Sequence, residues 1–324
     1  MADREYAYYS GCSLEGTAVE YDISVRRVME ALGIRLSEPE DWSCCGSTPA
    51  HTVDHLLAAA LAARNLTIIE KMGFNTVITP CPSCMMAFKK AHHRMKEDIR
   101  FKDEVNSLLD EPYNLNVQSK SALQIIIEDI GLEKVKERVT HVMPDLKVAP
   151  YYGCILNRPP EIAQFDDPEN PLSMDKIFTA IGVEVCDFAF KVECCGAAYG
   201  VPKRDMVNEL TYKILSMAVD CGANCVAVAC PLCQQNLDLR QQQVNIRKNT
   251  SFNIPVLYFS QIMGLAYGYS PEEMVIDKLV VNPDSLISSR ITLSQWNEMK
   301  AREAEASKAK KKEKKNIEKI EEET

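Results

Sequence analysis

WSCCGSTPA at residues 42–50 and VECCGAAYG at residues 192–200 both carry two adjacent cysteines followed by glycine. Adjacent cysteines are poorly suited to a disulfide, because closing the bond between neighbours strains the peptide and the sulfur–sulfur geometry. A packed core has no need of two neighbouring thiols either. The two stretches therefore indicate a site built from cysteines, and their recurrence indicates that the site occurs twice.

Each CCG stretch is the centre of a longer pattern of five cysteines. In both halves one cysteine precedes the pair and a CPxC motif follows it, with gaps of 31 and 35 residues in the first half and 39 and 34 in the second. The flanking residues agree as well: YYSGC at 8–12 matches YYGC at 151–154, and TPCPSC at 79–84 matches ACPLC at 229–233. An internal repeat of this kind predicts a duplicated domain.

Strands and helices alternate in the same order in both repeats. A short β-type run precedes the first cysteine, a helical stretch follows it, and a nearly all-apolar run (NTVITP; NCVAVA) leads into each CPxC motif. Such alternation is typical of α/β domains, and strands apolar on both faces are typical of parallel sheets covered by helices. We predict an α/β fold of two tandem, pseudo-symmetric domains with short, largely parallel sheets flanked by helices. The predicted boundaries are 1–145 for the first domain and 146–290 for the second, with a helical connection over 100–145 and a charged, flexible tail over 291–324.

Composition restricts the class of protein. The chain has 324 residues, 46% of them hydrophobic, and no uninterrupted apolar run of ~18 residues that would predict a membrane span. The stretch MADREYAYYSGC has charged residues where a signal peptide needs an apolar run, so we expect a cytoplasmic protein. A reducing compartment makes structural disulfides rare, and the 13 cysteines therefore indicate metal or redox chemistry. The net charge of −9 argues against nucleic acid as a partner.

The CPxC motifs place thiols where their charged form is favoured. Proline suits the first turn of a helix, so a helix is predicted to begin near Pro82 and its counterpart Pro231. The free N–H groups and the dipole of a helix N-terminus stabilise thiolates, which are the form that binds metal. A thioredoxin-like dithiol would use two of the five cysteines and a structural zinc site would use four. Five thiolates at each site, two of them adjacent, favour an iron–sulfur cluster of an unusual kind, since the usual cubane run C-x₂-C-x₂-C-x₃-C is absent.

The paired patterns C-x₃₁-CCG-x₃₄-CPSC and C-x₃₉-CCG-x₃₃-CPLC resemble the cysteine-rich CCG domain family. The stretch YYGCILNRPPEIAQFDDPENPLSMDKIF at 151–178 is similar to the B-type subunits of the CoB–CoM heterodisulfide reductases. The resemblance covers most of both repeats and not the lysine-rich tail. It implies two noncubane [4Fe-4S] clusters, each held by five cysteines that take part in catalysis through the cluster. The implied ligands are Cys12, Cys44, Cys45, Cys81 and Cys84 for the first cluster and Cys154, Cys194, Cys195, Cys230 and Cys233 for the second.

The same resemblance implies a reaction and a set of partners. Reduction of the CoM-S-S-CoB disulfide takes two electrons, and two clusters facing one cleft would each deliver one. The implied partners are the ferredoxin-like and the flavin-containing subunits of heterodisulfide reductase, which connect indirectly to hydrogenase or formate dehydrogenase. An alternative within the same family is an electron-transfer subunit of a lactate-, glycolate- or quinone-linked oxidoreductase, which passes electrons without cleaving a disulfide.

Further residues are candidates for supporting roles. The disulfide substrate carries sulfonate, phosphate and carboxylate groups, so cations near the motifs are candidate binding residues. These are His51, Arg158, Lys191, Lys203 and Arg204. Gly46 and Gly196 are expected to let the chain turn sharply after each cysteine pair, and Pro49 and Pro202 to stiffen the loops that follow. The remaining cysteines have no counterpart in the first repeat and are expected to act as small buried hydrophobic residues: Cys186, Cys221 and Cys225.

Overall fold

The computed structural model describes residues 4–47 and 50–306. The first half of the chain alternates strands and helices as the sequence predicts. Its strands are β1 (Arg4–Tyr8), β2 (Ile34–Ser37), β3 (Thr76–Ile78) and β4 (Gln118–Lys120). Its helices are α1 (Gly11–Glu15), α2 (Val19–Ala31), α3 (Ala50–Val53), α4 (His55–Lys71), α5 (Pro82–Glu97), α6 (Ile99–Asn106), α7 (Ala122–Ile125), which continues as a π-helix over Ile126–Ile130, and α8 (Leu132–Glu137).

The second half repeats this order with small differences. Its strands are β5 (His141–Val142), β6 (Lys147–Tyr151), β7 (Glu184–Val185), β8 (Cys225–Val228), β9 (Val256–Tyr258) and β10 (Ile291–Thr292). Its helices are α9 (Pro160–Ala163), α10 (Ser173–Ala180), α11 (Arg204–Asp220), α12 (Pro231–Leu239), α13 (Gln241–Lys248), α14 (Phe259–Ala266) and α15 (Asp284–Ile287). Short 3₁₀ turns lie at Ala197–Tyr199 and Ile276–Lys278.

Each half contains a four-stranded parallel sheet, and the two sheets have the same topology. The strand order is β2-β1-β3-β4 in the first sheet and β7-β6-β8-β9 in the second. In the registers, Ala7 lies opposite Val77 in the first sheet and Val148 opposite Cys225 in the second. Strand β8 is buried throughout and β3 over most of its length, which explains their apolar sequences, whereas β1 and β6 are buried toward their carboxyl ends. The predicted α/β fold with two tandem, pseudo-symmetric parallel sheets is therefore confirmed.

Contacts between the halves involve helices from both. Helix α2 of the first half packs along α14 of the second. At this contact Ser24 Oγ lies 2.7 Å from Ser260 Oγ in a fully buried hydrogen bond. The two halves thus share an interior instead of meeting only through a linker.

The connection between the halves differs from the prediction. Residues 100–145 are not helical throughout, because they also contain β4, which adds a fourth parallel strand to the first sheet, and β5. Strand β5 pairs in antiparallel fashion with β10, so the first two residues of the predicted flexible tail are held in a two-stranded sheet. Residues 293–306 are helical, and residues 307–324 lie outside the described part. The division of the chain at residues 145 and 290 stays our proposal.

No helix in the described part of the chain is long and apolar enough to cross a membrane.

Candidate functional site

The cysteines of each set meet at the carboxyl edge of a sheet. Cys12 follows β1 and Cys81 follows the neighbouring strand β3, while Cys154 and Cys230 follow the corresponding strands β6 and β8. Carboxyl ends of adjacent parallel strands lie side by side, and this edge is the usual position for ligands in open α/β sheets. The CCG loop of each half supplies the adjacent pair to the same edge. The repeated topology therefore generates two equivalent cysteine sites.

The first site has two exposed and three buried thiols. Cys12 and Cys44 are exposed, and Cys45, Cys81 and Cys84 are buried. The sulfur atoms of Cys45 and Cys84 lie 3.1 Å apart. Hydrogen bonding with Cys84 lowers the pKa of Cys45 and lowers that of Cys81 to about 7, against the opposing effect of burial. Backbone N–H groups at the start of α5 also favour the Cys81 thiolate, as the predicted helix start at Pro82 requires.

The second site reproduces this arrangement. The sulfur atoms of Cys195 and Cys233 lie 3.7 Å apart, as the equivalent of the Cys45–Cys84 contact. A hydrogen bond from the Cys154 thiol lowers the pKa of Cys194 to about 6, and the Gly196 N–H, 3.3 Å from the Cys194 sulfur, contributes in the same direction. Hydrogen bonding to Cys194 and burial raise the pKa of Cys154. Both sites therefore pair thiolate-forming cysteines with neighbouring thiol donors.

This donor set fits an iron–sulfur cluster. Cysteine thiolate is the usual protein ligand of such clusters, and five cysteines with two or more stabilised thiolates meet at each edge. Within residues 4–47 and 50–306, no three His, Cys, Asp or Glu side chains form a group suited to a single metal ion. The thiols instead make pairwise contacts around each strand edge. The residues that would hold the two groups are the ten cysteines predicted from the sequence.

Two buried tyrosines position the cysteine pairs. The hydroxyl of Tyr9 donates to the carbonyl of Ser43 at 2.7 Å, and that of Tyr151 donates to the carbonyl of Glu193 at 2.6 Å. Each carbonyl belongs to the residue just before a cysteine pair, so the two tyrosines hold equivalent points of the two loops. The YYSGC and YYGC flanks carry this signal in the sequence, but the role of the tyrosines becomes evident only in the structure.

The glycines of the CCG stretches take the predicted turn. Gly46 has φ +74° and Gly196 has φ +77°, in the left-handed region that residues with a Cβ rarely adopt. Pro49 lies outside the described residues, and Pro202 lies in an exposed turn before α11.

A cavity of about 790 Å³ opens between the halves against the second cysteine site. All five cysteines of that site line it, whereas the first half contributes the residues beside its cysteines, Gly46, Ser47, Pro82 and Ser83. The rest of the wall is mostly apolar and comes from α4, α5, α6, α9, α12 and the loop after Cys154: Ala58, Ala59, Met86, Ala87, Ala91, Phe101, Ile155, Ile162 and Leu232. The wall is therefore not symmetric, because no cysteine of the first site lies on it.

The structure brings two of the five predicted binding residues to this cavity. His51 and Arg158 line it, and Arg158 is also paired with Glu169 at 2.7 Å. Lys203 and Arg204 are exposed and do not line the wall. Lys191 is buried and does not line it either.

The position of Lys191 gives it a structural role. Its Nζ lies 2.6 Å from Asp175 Oδ1 and donates to the carbonyl of Pro171 at 3.0 Å, and the Tyr152 hydroxyl donates to the other oxygen of Asp175. Lys191 is thus held in a buried ion pair away from the cavity wall, and its predicted role in binding stays a prediction.

Three basic residues on α5 are absent from the candidates predicted from the sequence. Lys90, His93 and Arg94 lie on the cavity wall with Glu97, on one face of the helix that begins at the first CPxC motif. His55 is a further wall residue. Lys90 and His93 form no hydrogen bond or ion pair with another described residue, and the guanidinium of Arg94 stacks 3.6 Å from the Phe101 ring centroid. His93 and Arg94 follow Lys90 by three and four residues, so the three side chains share one face of α5. This spacing could have identified them as a group from the sequence.

The three additional cysteines lie away from both sites. Cys225 is fully buried in β8, where burial raises its pKa to about 12. Cys186 is also buried, and Cys221 is half-buried. The expected burial is confirmed for Cys225 and Cys186, and the role of the three cysteines stays a prediction.

These features define a protein of tandem cysteine-rich α/β domains, and a family model supports this class. The model for the cysteine-rich domain named CCG matches residues 6–89 and 148–238. The chain belongs to the CCG cysteine-rich domain family. The predicted resemblance to the B-type subunits of heterodisulfide reductase is confirmed at the level of sequence similarity.

The similar proteins are subunits of several reductases. The chain is 33% identical to the 8-methylmenaquinol:fumarate reductase membrane anchor subunit of Wolinella succinogenes, over 87% of this chain and 99% of that protein. It is 32% identical to the B subunit of the ferredoxin:CoB-CoM heterodisulfide reductase of Methanosarcina mazei, over 84% of this chain and 92% of that protein. An Archaeoglobus profundus protein named as similar to the heterodisulfide reductase B subunit is 28% identical over 89% of this chain and 98% of its own length.

A solved structure has a similar fold. A hypothetical protein from Helicobacter pylori superposes with a TM-score of 0.67 at 12% sequence identity, covering 87% of this chain and 53% of that one. At this identity the similarity shows the fold alone.

Proposed function

We propose that this chain is the redox subunit of a larger reductase complex, and that it reduces a disulfide of the CoM-S-S-CoB type in the cavity. The ten cysteines would hold two noncubane [4Fe-4S] clusters, one at each sheet edge. The observation that carries this proposal is the cavity wall, which combines a complete five-cysteine site with apolar surface and a cluster of cations. Relatives named as B subunits of heterodisulfide reductases, at 32% and 30% identity, support it.

The side chains on the wall suit a long molecule with anionic ends. Lys90 and Arg94 would pair with carboxylate, phosphate or sulfonate groups, and Arg158 offers a further cation on the opposite half. The apolar residues of α4 and α5 would cover the alkyl part and exclude water, which strengthens these ionic contacts. His51 or His55 can supply a proton to a departing thiolate. When bound, iron–sulfur clusters supply one-electron transfer and Lewis-acidic iron.

A quinone or quinol is the second candidate ligand. The apolar wall residues Met86, Phe101 and Ile162 would suit a hydrophobic ring system, and the relative from Wolinella is named for 8-methylmenaquinol. This candidate corresponds to the quinone-linked alternative predicted from the sequence. The unpaired Lys90 favours the anionic disulfide, because a quinone ring offers its ammonium group no anion.

The deciding experiment uses the full chain purified without oxygen. Iron and acid-labile sulfide near eight each per chain are expected for two four-iron clusters, and zinc without sulfide would contradict the cluster assignment. The loaded protein is then given a reduced artificial electron donor with either CoM-S-S-CoB or a menaquinone. Release of two thiols per two electrons supports the disulfide, whereas turnover of the quinone alone would replace it with the second candidate.

The electron donor is expected to be another protein of the same complex. The similar proteins are named as subunits of reductases. We propose the ferredoxin-like and the flavin-containing subunits of heterodisulfide reductase as the partners of this chain, with hydrogenase or formate dehydrogenase as the indirect source of electrons. Co-purification of the native complex tests this assignment.

A further inference from the structure

One peptide unit connects the second CCG loop to the helix that follows the second CPxC motif. The carbonyl oxygen of Cys195 accepts a hydrogen bond from the side-chain amide of Asn236 at 2.9 Å. The N–H of the same peptide unit belongs to Gly196 and lies 3.3 Å from the Cys194 sulfur. Because this peptide is trans and planar, its C=O and N–H point in opposite directions, and fixing the carbonyl also fixes the N–H. Asn236 therefore holds the N–H that donates to the Cys194 sulfur.

Arg240 fixes the orientation of the Asn236 amide. Its Nε donates to Asn236 Oδ1 at 2.6 Å, so the amide nitrogen faces the Cys195 carbonyl and, at 3.1 Å, the Thr211 hydroxyl. A guanidinium has only donors, and the reversed amide would therefore leave both the Arg240 Nε and the Cys195 carbonyl without a partner. Asn236 is almost fully buried, where an unpaired polar group is costly. The amide thus has one favourable orientation.

The same guanidinium holds the far end of the loop. Arg240 Nη2 donates to the carbonyl of Gly200 at 3.0 Å. A Cβ on Gly200 would lie 2.6 Å from this nitrogen, so the absence of a side chain is what lets the guanidinium approach. Between the two anchored carbonyls the chain forms the 3₁₀ turn Ala197–Tyr199, whose first two residues line the cavity. Asn236 and Arg240 therefore clamp both ends of the loop that follows the second cysteine pair.

The first repeat carries neither an amide nor a guanidinium at the equivalent positions. Asn236 and Arg240 lie three and seven residues after the last cysteine of their CPxC motif, and the first repeat has Ala87 and Ala91 there. Both alanines line the cavity. The fold therefore accepts alanine at these positions, and the Asn236–Arg240 pair is a feature that the second repeat adds to it.

We propose that Asn236, held by Arg240, is a positioning residue that raises the reduction potential of the second cysteine site when an iron–sulfur cluster is bound there. Reduction adds one electron and makes the sulfur ligands more negative, and an N–H directed at a ligand sulfur stabilises that charge. Hydrogen bonds to the sulfurs are among the features that set the potentials of such clusters. Without the Asn236 donor the Cys195–Gly196 peptide is free to turn, and the N–H···S contact is weakened. This inference rests on the proposed iron–sulfur function.

The test compares Asn236→Ala with the matched control Gln241→Ala in the full chain. Asn236→Ala gives the second repeat the residue that the first repeat has at this position. Gln241 is also a buried amide that donates to a backbone carbonyl, that of Ile254 at 2.7 Å, outside the CCG loop. Each protein is purified without oxygen, assayed for iron and sulfide, and titrated with dithionite while electron paramagnetic resonance follows each site. Cys12→Ala and Cys154→Ala, each of which perturbs one site, assign the signals.

Asn236→Ala should keep the iron and sulfide of the parent and show a more negative midpoint potential at the second site. The first site is the internal reference and should keep its potential, and Gln241→Ala should have parent potentials at both sites. An unchanged second-site potential in Asn236→Ala, or an equal shift in Gln241→Ala, would overturn the proposal.

A second variant decides the question if Asn236→Ala loses iron. Gly200→Ala changes no charge and keeps the Asn236 amide, but its added Cβ displaces the Arg240 guanidinium that orients this amide. A more negative second-site potential in Gly200→Ala supports the proposal, and a parent potential overturns it. Zinc without sulfide in the parent protein would instead refute the proposed function itself, so the two failures are distinguishable.

Discussion

Replacing the glycine of each CCG stretch by alanine should affect the two repeats unequally. Both glycines have φ near +75°, where an L residue costs roughly 1–2 kcal/mol. At Gly46 an added Cβ would also lie 2.9 Å from the Ala58 carbonyl oxygen and 3.2 Å from its Cα, both in the backbone of α4. A helix backbone yields only by moving the helix, and such overpacking costs a further ~1–3 kcal/mol. We therefore expect Gly46→Ala to destabilise the chain by roughly 2–5 kcal/mol.

At Gly196 the atom closest to an added Cβ belongs to a flexible side chain and not to a helix backbone. The added Cβ would lie 2.9 Å from Cδ1 of Leu210, and this half-buried side chain can change its rotamer. The expected loss of unfolding free energy is therefore only the cost of the left-handed backbone conformation, about 1–2 kcal/mol.

The assay is an oxygen-free urea titration of both variants and the parent, with iron and sulfide measured on the same preparations. Gly46→Ala should have the lower midpoint, and each variant should lose iron in its own half, assigned by electron paramagnetic resonance. Equal midpoints for the two variants, or a larger effect at Gly196, would refute the reasoning from the Ala58 backbone. Full iron content in both variants would show that the glycine conformation is not needed for cluster assembly.

Three further predictions concern lysines. Lys191→Met leaves Asp175 as an unpaired buried charge, and it should lower the free energy of unfolding in urea by roughly 3–5 kcal/mol without changing ligand affinity. The control Lys203→Met removes an exposed lysine and should change neither the unfolding free energy nor the affinity. A rise in KM alone for Lys191→Met would instead support a binding role for this residue. Burial lowers the pKa of Lys89 from 10.5 to about 8, against the attraction of Glu128. The unfolded chain then binds more protons between pH 8 and 10.5, so parent stability should rise with pH in that window relative to Lys89→Met, and parallel curves would contradict this sign. Lys90→Ala should raise KM for an anionic disulfide about 10- to 100-fold with kcat retained, as expected for a lost charge-assisted hydrogen bond. The control is Lys96→Ala, because Lys96 is on the same helix but off the cavity wall. Equal KM values for the two variants would exclude Lys90 from binding.

The repeat made most of the fold predictable from the sequence. Five cysteines with matching flanks defined two copies of one unit, and the apolar runs before each CPxC motif predicted the central parallel strands. Strand β4 escaped prediction because Gln118–Lys120 is short and polar, and it forms only because β3 presents a free edge beside it. The pairing of β5 with β10 joins residues about 150 apart in sequence, and two-residue strands carry no periodic signal of their own.

The cavity was harder to predict than the cysteine sites. The cysteine sites follow from spacings along the chain that occur twice. The wall of a cavity between two halves depends instead on how the halves pack against each other. The binding residues chosen from the sequence were the cations nearest the motifs, and that criterion included Lys191, which is neutralised by Asp175. It omitted Lys90 and Arg94 because they lie about two and three helical turns beyond the motif, on a face of α5 that is directed toward the second half only in the packed structure.

The asymmetry of the cavity follows from one difference between the repeats. The gap before the cysteine pair is 31 residues in the first half and 39 in the second, and the longer segment holds α9 and the loop that carries Arg158. Ile155, Arg158 and Ile162 from this segment form part of the cavity wall beside Cys154. The shorter first-half segment has no counterpart of α9, and Cys12 is exposed. Duplication thus produced two equivalent cysteine sites, and the longer segment in the second copy adds Ile155, Arg158 and Ile162 to the wall of the cavity between the halves.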